Sequence, residues 1–575
     1  MFYTPSTDRR NFLARASLLG AWLPFSQLGT AHAVANCAVP PAFPNQIPLY
    51  RQSFKNWAGD IAVDDVWTCA PRSADEVVEV VNWARNAGYK VRPRGMMHNW
   101  SPLTMAAGTA ACAAVLLLDT TQHLTAVTVD TQSAPCTVTA QTGITMQALL
   151  ERLETSGLGL TAVPAPGDLT LGGVLAIDGH GTAVPAKGES RQAGQTYGSV
   201  SNLVLSLTAV VFDSAQQKYV LRNFARNDPN IAPLLVHLGR AFIVEARLQV
   251  GTNQRLRCQS RMDIAATELF AQQGSGGRTF TSFLDSGGRV ETIWFPFTAF
   301  PWLKVWSVAP TKPLLARRVW GPFNYVFSDN VPFEVTDLLA RIVRGEPGLT
   351  PLFGQAQAKV SALGLASTLS LDLWGWSKDL LLYVKPTTLR VTANGYAVLT
   401  RRADVQRTLY EFTSFDQSRV EAWQRSGKYP MNGPVEIRVT GLDQPGDVAM
   451  AGAVAPALSA VRPRPDHPEW TVAVWFDILT VPGTPHANAF YREIEQWMLS
   501  NFSGSYAAVR PEWSKGWGYT DTAAWDDATT LGYSVPQAYR DGQAIGTRWE
   551  DAQAAYNRHD PYRVFSSPLL DRLLP

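Results

Sequence analysis

Apolar and polar positions follow two different periods in the first half of the chain. Residues 75–86 place apolar side chains at 77, 78, 80, 81 and 84, the spacing of one helix face, and Ser73 stands at the N-cap position. The 146–154 stretch has the same period. Apolar runs at 91–93, 113–118, 125–129, 137–141 and 201–212 read as strands, with glycines gathered in the connections. Residues 34–50 are Pro-rich and read as an N-terminal arm, so a first α+β domain is expected over 51–252. Past residue 253 the texture changes. Alternating stretches rich in Trp and Phe, at 291–297, 380–384, 389–393, 435–440 and 471–479, are separated by proline breaks. With a helix at 487–500, they predict a second domain, 253–540, on a mixed or antiparallel sheet. The end, 541–575, reads as a closing segment, with a loop and short helix over 557–574.

Composition narrows the class. Of 575 residues, 46% are hydrophobic and 17% charged, which excludes a disordered, collagenous or coiled-coil chain. Lys and Arg number 50 against 48 Asp and Glu, so there is no basic excess for a nucleic-acid backbone. The 19 tryptophans suit a wide apolar pocket, or simply a large core. Residues 1–33 hold Arg9-Arg10-Asn11-Phe12-Leu13, a short apolar run and Ala31-His32-Ala33. That pattern predicts a twin-arginine export signal cut near Ala33, and hence a periplasmic or secreted protein. The run is too short to span a bilayer and contains Arg15. The segment carries three Arg and one Asp, so the remainder has no net charge. Cys37, Cys69, Cys112, Cys136 and Cys258 form no C-x-x-C pair; they allow one or two disulfides of open connectivity and no metal site.

Gly157-Leu-Gly159-Leu-Thr-Ala162 matches the dinucleotide fingerprint, but a helix precedes it and Pro164 and Pro166 follow, so the context fails. Two other stretches carry more. In Val91-Arg-Pro-Arg-Gly-Met-Met-His-Asn-Trp-Ser-Pro102, Gly95 permits a tight turn whose backbone amides can nest a pyrophosphate, with Arg92 and Arg94 adding charge. In Pro166-Gly-Asp-Leu-Thr-Leu-Gly-Gly-Val-Leu-Ala-Ile-Asp-Gly-His-Gly-Thr182, Gly172 and Gly173 allow close approach of the backbone to a ligand, and Gly179-His180-Gly181 makes a further bend. Two such loops can clamp one extended cofactor.

These loops, with the weaker Leu238-Gly-Arg-Ala-Phe-Ile-Val244, resemble the vanillyl-alcohol-oxidase family of flavoproteins with a PCMH-type FAD-binding domain. Glu291-Thr-Ile-Trp-Phe-Pro-Phe297, Pro434-Val-Glu-Ile-Arg438, Trp513-Ser-Lys-Gly-Trp517 and Asp560-Pro-Tyr-Arg-Val-Phe565 resemble its covalent-flavin (type II) cholesterol oxidase branch. The resemblance covers nearly all of residues 45–575. It implies an α+β, two-domain flavoprotein: an FAD domain plus a large mixed-sheet substrate domain, with the closing segment returning to the FAD domain. It implies FAD contacts from Pro93, Arg94, Gly95, Met96, Met97, His98, Asn99 and Ser101 in the first loop. The second loop would contribute Gly167, Thr170, Leu171, Gly172, Gly173, Ala176, Gly179 and Gly181, and the third Phe242 and Ile243. His98 would be bonded to the flavin 8α-methyl; His180 is the rival, better suited to packing against the pyrophosphate.

On the substrate side, Glu436 and Arg438 share one strand face about 7 Å apart. Alone they read as an ion pair on a solvated face. The resemblance makes Glu436 the base toward the alcohol, and Arg438 the stabiliser of negative charge on the flavin whose movement admits oxygen. Glu291 shares a face with Ile293, Phe295 and Phe297; desolvation there should raise its pKa and suit it to shuttle protons. Asp477, on a face with Ala473 and Trp475, replaces an amide of the relatives. Lys515 is brought near the site by the resemblance, and otherwise reads as a surface lysine. The implied reaction is oxidation of a 3β-hydroxysterol: hydride passes to the flavin, and oxygen reoxidises it to give hydrogen peroxide. A Δ5-to-Δ4 shift would follow through Glu291 or Glu436. The implied partners are a sterol, oxygen and transient contact with membranes, with no stable protein partner. Another bulky alcohol or a lactone, a dehydrogenase that avoids oxygen, and a non-enzymatic flavin- and sterol-binding protein are the alternatives.

Overall fold

In the computed structural model three sheets position everything that follows. Residues 37–325 and 333–575 are described; the expected export signal lies outside them. Residues 37–40 have no regular secondary structure, and Pro41–Pro575 form one compact unit. A four-stranded sheet runs in the order Leu49–Lys55, Ala62–Cys69, Val115–Asp119, Lys90–Arg94. A five-stranded antiparallel sheet follows in the order Val127–Asp130, Thr137–Gln141, Phe242–Gln249, Val204–Asp213, Lys218–Ala225. The helix Ala74–Ala87 is capped by Ser73, whose side chain accepts from Glu76 N. It buries Val77, Val80, Val81 and Ala84 against both sheets.

The third sheet has nine strands in the order Arg317–Arg318, Asp372–Trp376, Arg255–Arg261, Trp302–Val308, Arg289–Trp294, Val435–Gly441, Val472–Thr480, Thr392–Thr400, Ala507–Pro511. One parallel pair at its edge makes it mixed. Strand alternation sorts its residues. Val290, Val435, Ile437, Val474 and Phe476 face helices Val405–Arg425 and Ala487–Asn501, with Phe412 stacked on Phe476 at 3.9 Å. The opposite face holds Glu291, Glu436, Arg438 and Asp477.

The closing segment reaches back to the five-stranded sheet. The buried Asp560 carboxylate accepts from Tyr219 Oη (2.5 Å), Arg240 Nη1 (2.7 Å), Val564 N (2.8 Å) and Phe565 N (3.0 Å). Its motif therefore fastens the fold. Cys69, Cys136 and Cys258 are free thiols.

Several expectations are corrected. Residues 380–384 and 389–393 are not strands: Ser377–Leu381 is helical and the strand begins at Thr392. Leu380, Leu381 and Leu382 are all buried, and a run buried on every side has no period to read. The strand expected over 291–297 is Arg289–Trp294. Pro296 ends the ladder and Phe297 has φ 59, so Phe297 leaves the face of Glu291. Residues 200–203 form a 3₁₀ turn ahead of the strand from Val204. Thr170-Leu-Gly-Gly opens the short helix Leu171–Ala176 instead of a loop. The strand from Leu49 starts inside the expected arm, and helix Trp549–His559 takes up the start of the expected closing loop.

Candidate active site

A cavity of about 460 Å³ lies where the two glycine-rich loops meet the charged face of the nine-stranded sheet. The first loop contributes Pro93 through Asn99, and the second Thr170, Gly172, Gly173, Ala176, Gly179, His180 and Gly181. Phe242 and Ile243 complete that side. Glycine is required where the loops touch. A Cβ on Gly95 would sit 2.5 Å from Thr170 Oγ1, and one on Gly181 2.5 Å from Val163 O. The backbone amides of Met96, Met97, His98 and Asn99 meet no backbone acceptor among the described residues, and Met97 has φ 58. Successive free amides with one left-handed residue form a nest for anionic oxygens, so the loop fits the pyrophosphate of FAD.

Three of the expected cofactor residues do not line the cavity. Ser101 is fully buried, Leu171 packs into the core, and Gly167 accepts from Gln147 N. Arg92 and Arg94 do line it, but both guanidinium groups are tied to other parts of the protein. Arg92 donates to Gly239 O (2.8 Å) and Leu103 O (2.6 Å), and Arg94 pairs with Asp119 at 3.1 Å. His98 Nε2 lies 2.9 Å from Asp168 Oδ2, and its ring stacks on Trp57 with centroids 4.2 Å apart. That leaves Nδ1 without a hydrogen-bond partner among the described residues. His180 is fixed otherwise, stacked on Trp475 at 3.6 Å and with Nε2 3.6 Å from Glu512.

The sheet wall brings all five expected catalytic residues into one ion network. Glu436, Arg438 and Lys515 line the cavity; Glu291 and Asp477 lie behind them. Register explains the meeting: Glu291 pairs with Arg438 across one strand boundary, and Glu436 with Asp477 across the next. The Arg438 guanidinium serves three carboxylates, at 2.7 Å to Glu291, 2.5 Å to Glu436 and 2.7 Å to Asp477. Lys304 holds Glu291 at 2.9 Å, and Lys515 joins Asp477 (2.9 Å) to Glu512 (2.7 Å).

The pKa expected for Glu291 is overturned. Burial alone would raise it, but Lys304 and Arg438, with hydrogen bonds from Lys304 and Tyr383, carry it down to about 2. Glu291 is therefore ionised at neutral pH. Asp477 goes the other way. Burial and the neighbouring Glu512 charge push its carboxyl well above the usual range, against Lys515 and Arg438. Glu512 is held well below it, despite burial, by Lys515, His180 and a hydrogen bond from Asp477. Geometry agrees. A Cβ on Gly395 would lie 2.7 Å from Asp477 Oδ1 and 2.8 Å from Glu512 Oε2, and both buried oxygens lack an N–H or O–H donor. One proton held on Asp477 satisfies the pair, and it donates as an amide in its place would. Asp477→Asn should accordingly keep kcat/KM within about threefold at neutral pH. As pH rises through the elevated Asp477 pKa, the parent gains a second buried negative charge and the variant does not. The alkaline decline of the parent's pH profile should be weaker in the variant.

Sequence reasoning missed Glu512, Lys304, Tyr383, Asp168 and Trp57. Glu512 stands one residue before a recognised motif and three before Lys515, a visible cue. Lys304 reaches Glu291 only through strand register, and Tyr383, 2.6 Å from Glu291, comes from a segment with no local signal.

Comparison with known proteins identifies the family. A family model described as "Cholesterol oxidase, substrate-binding" matches residues 255–575, and one described as "FAD binding domain" matches residues 67–214. A solved structure of a solvent-stable cholesterol oxidase is 68% identical, covering 94% of this chain and 100% of that one, with TM-score 0.93. Cholesterol oxidase from B. sterolicum is 47% identical over 94% and 100% of the two chains, with TM-score 0.92. A histidine-to-alanine variant from Brevibacterium sterolicum is 46% identical over the same shares, also at 0.92. No curated protein sequence matches. The matched model spans more than half of the chain, the nest fits FAD, and an ion network lines an apolar cavity: the chain belongs to the cholesterol oxidase family, FAD-dependent oxidoreductases that act on the CH–OH group of a sterol.

Proposed function

We propose that this protein is an exported oxidase of 3β-hydroxysterols with covalently held FAD, using oxygen as acceptor and releasing hydrogen peroxide. The observation that carries it is the meeting of the His98 loop and the Glu436–Arg438 face on one cavity. When bound, flavin supplies the two-electron acceptor for the carbinol C–H bond. Glu436, at the cavity wall, takes the hydroxyl proton on its carboxylate. Arg438, on the same wall, would offer positive charge to the bound cofactor, and its displacement would open a way for oxygen. Ile293, Phe295, Trp302, Trp306 and Leu381 line the cavity with apolar surface that keeps water out and suits a rigid hydrocarbon. For a Δ5-to-Δ4 shift, Glu436 would move the proton, because Glu291 does not line the cavity and its lowered pKa makes it a poor base.

His98 would carry the covalent attachment. Asp168 and the Trp57 ring fix the imidazole with Nδ1 uncommitted. Arg9-Arg10 and Ala31-His32-Ala33 support export by the twin-arginine route, which carries folded, cofactor-loaded proteins to the periplasm or beyond. The test is acid precipitation of the holoprotein: yellow colour should stay with the protein and be released by His98→Ala. Colour that washes out of the unsubstituted protein would refute the covalent link.

A further inference from the structure

Leu314 is 92% exposed and Leu315 89%, side by side on one loop, with Trp320 at 76%. Single exposed hydrophobics are ordinary on a protein surface; an adjacent, fully presented pair is not. The loop is fastened from behind. Ala316 and Val319 are buried, Val319 N donates to Trp374 O at 2.9 Å, and Arg317–Arg318 forms the edge strand of the nine-stranded sheet. The leucines are thus held outward on a built support. Lys312, Arg317 and Arg318 are exposed around them, and residues 309–323 contain no acidic side chain. The Arg318 guanidinium lies over Trp320, 3.4 Å from the ring centre. The loop also touches the cavity's architecture. Helix Thr350–Ser367 walls the cavity through Phe353, Gln357, Val360 and Ser361. At its end Arg317 donates to Thr368 O, just before exposed Leu369 and Leu371.

We propose that residues 312–320 are a bilayer-docking element: Leu314 and Leu315 enter the acyl region, Lys312, Arg317 and Arg318 meet lipid phosphates, and Trp320 lies at headgroup level. Aliphatic tips, flanking cations of one sign and an interfacial tryptophan are the chemistry of a lipid surface. The inference rests on the sterol reading, since a sterol substrate resides in bilayers. It adds the surface by which the protein reaches it and ties that surface to the helix walling the cavity.

The test is sedimentation of the holoprotein with sterol-free phosphatidylcholine vesicles, with and without phosphatidylserine. The Leu314→Ser/Leu315→Ser variant should bind both vesicles about tenfold or more weakly. Lys312→Gln/Arg318→Gln should lose about fivefold per charge on the anionic vesicles and little on the neutral ones. Both variants should retain the parent's kcat/KM on detergent-solubilised cholesterol and lose rate on vesicle cholesterol in step with binding. Sedimentation of the serine variant equal to the parent's would overturn the proposal. So would gel filtration showing that the serines dissolve a dimer while vesicle binding is unchanged, which would assign the patch to a second copy. If the unsubstituted holoprotein fails on solubilised cholesterol, the sterol reading itself fails, whatever the sedimentation shows.

Discussion

Arg438→Met is expected to lower kcat/KM for cholesterol by about a thousandfold at neutral pH, because one guanidinium organises the whole sheet wall. Glu291 would keep Lys304 and Tyr383, and Asp477 would keep Lys515. Glu436 would lose the cation 2.5 Å from it, and with it the restraint that holds its carboxylate at the cavity wall. The cavity would lose the positive charge needed when electrons arrive on the cofactor. Methionine fills much of the volume of the arginine stem, so loss of packing is not the main effect. Arg438→Lys keeps the charge but cannot fork to three carboxylates, and should fall between the two, roughly tenfold to a hundredfold down. Steady-state kinetics beside thermal unfolding separates the two causes. Arg438→Met within about threefold of the parent would remove this residue from the chemistry.

Glu436→Gln should cost about a hundredfold to ten-thousandfold in kcat, with KM little changed. Glutamine has the same shape and can still accept from Arg438, so binding survives, but it cannot take the hydroxyl proton. Glu291→Gln supplies the contrast. It leaves Lys304, fully buried, without a counter-charge, and its cost should appear as about 3 kcal/mol of stability. If instead Glu291→Gln abolished turnover and Glu436→Gln preserved it, the two roles would be exchanged.

Much of this was legible in the chain because local rules act there. The helix Ala74–Ala87 announced itself by period and by the Ser73 cap, and Thr137–Gln141 and Met146–Glu154 by period alone. The loops around His98 and Gly172 were legible because glycine marks places where another backbone comes close. What stayed hidden depends on register and on charge summed over distant segments. Lys304 and Tyr383 reach Glu291 from 13 and 92 residues away, and their effect reverses the pKa that an aromatic face alone would give it. Asp477 looked like a departure from the family. Only the gap at Gly395, which lets Glu512 come beside it, shows how a protonated acid can do the work of an amide there. The all-apolar 380–384 segment misled for a simpler reason: burial on every side erases the period that tells a strand from a helix.

A sterol alcohol bound at Glu436 is expected to deliver its electrons to a flavin held by the His98 loop. The most direct measurement is anaerobic mixing of the purified holoprotein with detergent-solubilised cholesterol, following the visible flavin absorption. Complete bleaching is expected at a rate that supports turnover, with the colour restored when oxygen is admitted and slow bleaching in Glu436→Gln. A flavin spectrum unchanged by cholesterol would contradict it.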